Sequence, residues 1–265
     1  CRPAAERVEE LREGFERLGA AGFELEWLDG AAARQASDCP LVGAAIHQPL
    51  DGGLDPVRLC RGLATLSGAD VRLGRRVEGV AAARGGVPVE GPGVLLALNA
   101  FAPLVFPWLE GKVRPVRGQM LATAPGERSL RGVWYLDDGY EYARQLPDGT
   151  FLLGGCRREA LEEEVGYEVA PTERVQGALE AYLGRSFPRF ADRPVVSRWA
   201  GTMAFTDDGL PLIGEVPGVP GALYAAGFNG HGMSLGFVTG KELAERLVGE
   251  SGVGCVPATP CPEQP

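Results

Sequence analysis

Between Ala222 and Val248 a short apolar run gives way to three glycines in six residues and then to a helical repeat. The segment Gly227-Phe228-Asn229-Gly230-His231-Gly232-Met233 follows the strand-like Leu223-Tyr224-Ala225-Ala226. Glycines here permit main-chain turns that side chains would block, and they let a flat ligand approach the backbone. The helix expected over Met233–Val248 points its unpaired N–H groups and the positive end of its dipole at whatever occupies the turn. Such a site suits negative charge. A tight glycine connection with no ligand accounts for the same residues equally well.

The remaining sequence narrows the classes of function. At 265 residues the chain is long enough for one large domain or two ordinary ones. Its 45% hydrophobic and 23% charged residues are those of a soluble globular protein. No run of about 18 apolar residues occurs, which excludes a spanning helix. With 26 Lys and Arg against 35 Asp and Glu the net charge is −9. Nucleic-acid binding needs a concentrated basic face, and the densest basic group, Arg72, Arg75 and Arg76, reads as a solvated sheet edge. Six cysteines (Cys1, Cys39, Cys60, Cys156, Cys255 and Cys261) form no CxxC, and only two histidines, His47 and His231, are present. A metal site is therefore not expected, and free thiols in a reducing, cytoplasmic setting are.

Periodicity predicts the elements. Val8, Leu11, Phe15 and Leu18 mark an amphipathic helix from Ala4, closed by Gly19 and Gly22. Asp55-Pro56 starts a second helix carrying Val57, Leu59, Leu63 and Leu66. Strands are expected over Val71–Val80, Val87–Val89 and the all-apolar Val94–Ala97. Further strands are expected over Lys112–Thr123, Gly132–Tyr135, Tyr140–Gln145 and Phe151–Gly155, the last two joined by the turn Pro147-Asp148-Gly149. Trp134 and Tyr135 read as core. Pro171–Leu183 is a helix, and Val195–Ala204 and Ala222–Ala226 are strands. Residues 250–265, rich in proline and without period, read as a disordered tail. Helices and short strands flanking an antiparallel-looking stretch fit two interleaved domains.

A second set of residues points to a family. Arg198-Trp199-Ala200-Gly201-Thr202 precedes Thr206-Asp207-Asp208-Gly209-Leu210-Pro211-Leu212-Ile213-Gly214, and the glycine turn comes after a short spacer. This pair resembles the C-terminal signature of the DAO family of FAD-dependent oxidoreductases, which includes D-amino-acid, glycine and sarcosine oxidases. Asp51-Gly52-Gly53-Leu54-Asp55-Pro56, Leu96-Ala97-Leu98-Asn99-Ala100-Phe101-Ala102 and Val113-Arg114-Pro115-Val116-Arg117-Gly118-Gln119-Met120 resemble other family elements in the same order. Tyr140-Glu141-Tyr142-Ala143-Arg144 through Gly154-Gly155 is similar to its central substrate-domain strands. The likeness spans roughly Glu9 to Gly249.

The resemblance implies a mixed α/β fold. A partial, Rossmann-like FAD-binding domain (51–111 and 197–249) is interleaved with a largely antiparallel substrate domain (1–50 and 112–196). No GxGxxG occurs, although relatives open with that turn to bind the FAD pyrophosphate. The expectation is an N-terminally truncated chain, or one completed by a partner. The implied cofactor is non-covalent FAD, since no cysteine lies in Trp199–Ala204. Its contacts would be Gly227, Phe228, Asn229, Gly230, His231, Gly232, Met233, Pro211, Ala100 and Val77.

His231 would sit beside the flavin ring, or else satisfy a loop carbonyl. Arg198 would clamp a substrate carboxylate through two hydrogen bonds, or else stand exposed on its strand. Tyr142 and Arg144 share a strand face that would line a substrate pocket or face solvent. The implied reaction moves hydride from the amine-bearing carbon of a small amine or amino acid to flavin N5. The imine then hydrolyses, and oxygen often reoxidises the flavin to give peroxide. The alternatives are a catalytically inactive binding module, a flavin dehydrogenase with another electron acceptor, or an enzyme of modified nucleosides, which the acidic charge disfavours.

Overall fold

The computed structural model describes residues 4–76 and 93–248. In chain order the first elements are α1 (Ala4–Ala20), β1 (Glu26–Leu28), α2 (Gly30–Ser37), β2 (Ala45–His47), α3 (Pro56–Ser67) and β3 (Val94–Leu96). Then come β4 (Arg114–Thr123), β5 (Val133–Leu136), β6 (Glu141–Gln145), β7 (Phe151–Gly155), α4 (Glu173–Ser186) and α5 (Pro188–Ala191). The chain ends its described part with β8 (Val195–Phe205), β9 (Leu212–Glu215), β10 (Ala222–Ala226) and α6 (Gly232–Val248). This is a mixed α/β chain that divides into two units. One comprises Cys1–Asp55, Gly118–Leu161 and Ala170–Ala200; the other comprises Pro56–Arg117, Glu162–Val169 and Gly201–Pro265.

The first unit is built on a five-stranded sheet of order β5-β6-β7-β4-β8. Neighbours β5/β6, β6/β7 and β7/β4 are antiparallel. Strand alternation decides what each face meets: Glu141, Ala143 and Gln145 are buried while Tyr142 and Arg144 are only half-buried. The buried face packs Leu121, Ala143, Phe151 and Leu153 against Val175, Leu179 and Leu183 of α4 and against Phe187 and Phe190. The Phe151 ring stacks on Phe190 at 4.2 Å and tilts against Phe187 at 5.0 Å. Such aromatic rings each bury a large apolar area and anchor this face of the sheet. Gln145 is buried but fully engaged. Its Oε1 accepts from Ser129 N and Leu130 N, and its Nε2 donates to Glu127 O and Gly149 O. That satisfies the polar atoms a core position would otherwise leave unpaired. At the start of the unit, Phe15 of α1 packs edge-on against Trp27 of β1, and the Asp29 carboxylate caps α2 by accepting from Ala31 N and Ala32 N.

The second unit holds a three-stranded sheet of order β3-β10-β9, with β3 parallel and β9 antiparallel to β10. Every residue of β10 is buried, as an all-apolar strand covered on both faces requires. One side contacts a cluster that includes Leu96, Ala100, Phe106, Leu109 and Val113. On the other, Ile213, Leu223 and Ala225 meet Leu243 of α6. The segment 162–169 is tied in by a buried, two-pronged ion pair. Arg117 Nη2 and Nε donate to Glu164 Oε1 and Oε2 at 2.6 and 3.0 Å. Tyr167 of the same segment also stacks on Phe101, with ring centroids 5.5 Å apart. Helix α3 is different: none of its residues is buried, and Val57, Leu59, Leu63 and Leu66 are exposed.

Three expectations change. Residues 71–76 form no strand, so Arg72, Arg75 and Arg76 are exposed on turn and coil rather than on a sheet edge. The rest of Val71–Val80, all of Val87–Val89 and the tail 250–265 lie outside the described residues. Tyr135 is 62% exposed rather than core, because β5 is an edge strand and turns only Trp134 and Leu136 towards the buried cluster.

Candidate functional site

Strands β3 and β10 run parallel, and the connections leaving their carboxyl ends contain Asn99 and Gly227. Carboxyl ends of parallel strands are where open α/β sheets place ligands. Gly227 and Gly230 adopt φ of +74° and +83°, and Asn229 between them is also left-handed at +53°. A side chain at Gly227 would strike the Thr206 methyl at 2.5 Å, whereas one at Gly230 would meet nothing within 4 Å. Glycine is thus needed for packing at the first position and leaves open space at the second.

Asn229 organises the turn. Its N–H donates to Ala204 O, and its Oδ1 accepts from Thr206 N at 2.9 Å. Its Nδ2 donates to Gly227 O at 2.6 Å and to Thr206 Oγ1. Thr206 Oγ1 in turn donates to Leu210 O, and the Asp208 carboxylate caps that turn by accepting from Leu210 N. Pro211, half-buried, leads directly into β9. From the other side, Asn99 Oδ1 accepts from Gly227 N at 3.1 Å and from Phe228 N at 3.5 Å. His231 is exposed, with its Nδ1 2.9 Å from Asn229 O, so Nδ1 carries the proton of that contact. The amides of Gly230, Gly232 and Met233 have no partner among the described residues. Gly232 and Met233 open α6 and Gly230 stands two residues before it, where the helix dipole favours negative charge. On β8, shortly before Ala204, Thr202 Oγ1 is the one buried side-chain polar atom without a partner among the described residues. The open position at Gly230 and the unpartnered amides around it suit a flat ligand with polar, anionic edges. Ala100 is buried in the apolar cluster below, and Val77 lies outside the described residues.

In the other unit, Tyr135 of β5 and Tyr142 of β6 are register partners, and Tyr142 pairs with Gly154 of β7, which pairs with Met120 of β4. A Cβ on Gly154 would lie 2.1 Å from Met120 Sδ and 2.2 Å from the Tyr142 ring, so both side chains lie over this glycine. Burial raises the Tyr142 hydroxyl pKa above its ordinary value, keeping it neutral. Arg144, half-buried, donates to Leu54 O at 2.5 Å. Arg198 is engaged on α4: Nη1 donates to Gln176 Oε1 at 2.7 Å and Nη2 to the Glu180 carboxylate. Gln176 continues to Gln119, which also bonds Thr172. On the opposite face of β6, burial pushes the Glu141 carboxyl up to about 7, with the Asp137 charge adding to the effect. Burial likewise pushes the Cys156 thiol up to about 12. Among the described residues Cys39, Cys60 and Cys156 are free, and no cluster of His, Cys, Asp or Glu could hold a metal ion. No helix among them is long and apolar enough to cross a membrane.

Asn99, Thr202 and Thr206 were not singled out as site residues by the sequence. Only the odd Asn99, interrupting an apolar run, carried a local signal.

One unit thus carries a parallel strand pair ending in a glycine turn and a helix start, and the other an antiparallel sheet, which is a mixed α/β fold. The chain belongs to the DAO family, FAD dependent oxidoreductase, whose model it matches over residues 1–246. The cofactor of that family is FAD. Glycine oxidase of Pseudomonas aeruginosa is 33% identical over 181 residues, covering 68% of this chain and 47% of its own length. Among solved structures, glycine oxidase from Geobacillus kaustophilus superposes with a TM-score of 0.79 at 20% identity, over 94% of this chain and 69% of that one. L-proline dehydrogenase from P. horikoshii superposes with a TM-score of 0.75 at 21% identity, over 94% and 71%. The chain spans about half the length of the curated relatives it matches.

Proposed function

We propose that this chain carries part of the flavin site and the substrate-binding sheet of an FAD-dependent oxidoreductase that oxidises the C–N bond of a small amine or amino acid. The observation that carries the reading is the Gly227–Met233 turn. It ends in amides that have no partner among the described residues, and a side chain at Gly230 would meet open space. The family match and the glycine oxidase likeness support the same reading. In this assignment the unit containing β3, β9 and β10 holds non-covalent FAD, and the unit containing β5–β7 meets the substrate.

The main-chain amides of Gly230, Gly232 and Met233 would hold the electron-rich edge of the flavin, and Thr202 Oγ1 would gain a partner from it. Phe228, Asn229 and Pro211 shape the floor of that site, and His231 stands at its rim. Bound FAD supplies the two-electron oxidant, accepting hydride from the amine-bearing carbon. Tyr142, held neutral by burial, and Arg144 would orient the substrate. Arg198 is the proposed carboxylate partner; to serve it must exchange Glu180 for the substrate. Replacing Arg198 by Gln then raises KM for an amino acid and leaves kcat for a carboxylate-free amine unchanged.

The test is an FAD titration of the protein, followed by flavin absorbance after gel filtration and a screen of glycine, other amino acids and simple amines. Peroxide formation reads an oxygen-linked oxidase, and reduction of an artificial dye without peroxide reads a dehydrogenase. The same titration is run on a form extended by a GxGxxG-bearing segment, and failure of both forms to retain flavin at micromolar protein and FAD sinks the proposal.

A further inference from the structure

The two main-chain polar groups of Gly227 are each taken by a different asparagine side chain. Asn99 Oδ1 accepts from Gly227 N, and Asn229 Nδ2 donates to Gly227 O. Both asparagines sit in the left-handed region, at φ +43° and +53°, which an L-residue other than asparagine, aspartate or glycine adopts at a cost. They come from separate connections: Asn99 follows β3 and Asn229 follows β10, the two parallel neighbours of the sheet. Asn229 extends the tie to Thr206 on the β8–β9 connection. Three loops therefore meet at one glycine.

We infer that Asn99 is a positioning residue for the flavin turn. By occupying the amides of Gly227 and Phe228 from the end of β3, it leaves those of Gly230, Gly232 and Met233 as the donors presented to the cofactor. The inference rests on the reading of this turn as a flavin site. A glycine at position 99 would adopt the same backbone without strain, so conformation alone does not require asparagine there. What glycine lacks is the acceptor. Without it, Gly227 N–H and Phe228 N–H become two further unpaired donors, and the turn loses its only side-chain tie to the β3 connection among the described residues. The side chain acts at a distance from the ligand, by setting which amides are free and where they stand.

The experiment compares the wild type with Asn99→Gly and Asn99→Asp. Aspartate keeps an acceptor oxygen and tolerates the left-handed backbone. Hydrogen exchange of the ligand-free protein is read at the amides of Gly227 and Phe228. These amides are expected to exchange about tenfold faster in Asn99→Gly, the size of one lost hydrogen bond, and at near wild-type rates in Asn99→Asp. FAD titration by fluorescence quenching should show affinity weakened about tenfold in Asn99→Gly and largely restored in Asn99→Asp. Equal exchange in wild type and Asn99→Gly overturns the inference, because the tie is then not holding the turn. Faster exchange with unchanged FAD affinity also overturns it, since the tie would then be structural only. A wild-type protein that takes up no FAD in either form, extended or not, instead overturns the function proposed for this turn, and the inference falls with it.

Discussion

Glu141 is a carboxyl group on the buried face of β6, 6% exposed, with its proton affinity raised by burial from 4.5 to about 7. The folded protein therefore holds this proton more tightly than the unfolded chain does. Below about pH 4.5 both states are protonated and the group does not affect stability. Between that pH and 7 stability falls as pH rises, and above 7 the full cost of a buried charge remains. That cost is on the order of 3 kcal/mol. Urea unfolding at pH 5 and pH 8 should show Glu141→Gln stabilised much more at the higher pH. Equal gains at both would place the effect elsewhere. Arg117 presents the opposite case, a charge whose partner is present. Arg117→Met leaves Glu164 buried without its guanidinium and should cost about 3–5 kcal/mol. The double variant Arg117→Met, Glu164→Leu should recover most of this in the same unfolding measurement. Neither residue's burial was legible in the sequence, because both stand among exposed-looking acidic and basic neighbours.

At the level of elements, the sequence was most readable where one period dominated. The β6–β7 hairpin, α4, β10 and α6 were expected from alternation, helical spacing and turn residues, and the structure forms them. Val133-Trp134-Tyr135-Leu136 shows why reading stops there. Four apolar residues in a row conceal a period of two, and only the edge position of β5 leaves Val133 and Tyr135 exposed. Strands β1 and β2, three residues each, carry no pattern long enough to detect. The tie from Asn99 to Gly227 joins residues more than a hundred positions apart, which no local pattern encodes. Packing predicts unequal costs for the two sheet faces. Phe151→Ala removes a ring that stacks on Phe190 and tilts against Phe187, and should lose about 3–5 kcal/mol. Tyr135→Ala on the exposed face should lose about 1 kcal/mol or less. Similar losses in thermal unfolding for both would contradict the assigned faces.

For the whole molecule, cofactor and stability are linked. A ligand that binds only the folded state at a hundred times its Kd adds about 2.7 kcal/mol, and FAD should raise the melting temperature by a few degrees. An unchanged melting curve at saturating FAD would count against the proposed site. Helix α3 has a consequence of another kind. Leu59, Leu63 and Leu66 give it an apolar stripe open to water, with Leu66 86% exposed. Such a stripe makes the polypeptide surface-active, and its net charge of −9 opposes clustering only while salt is low. Its solubility should therefore fall as salt is added, with enhanced fluorescence of an apolar dye and retention on a phenyl resin. Leu63→Lys with Leu66→Lys should weaken all three.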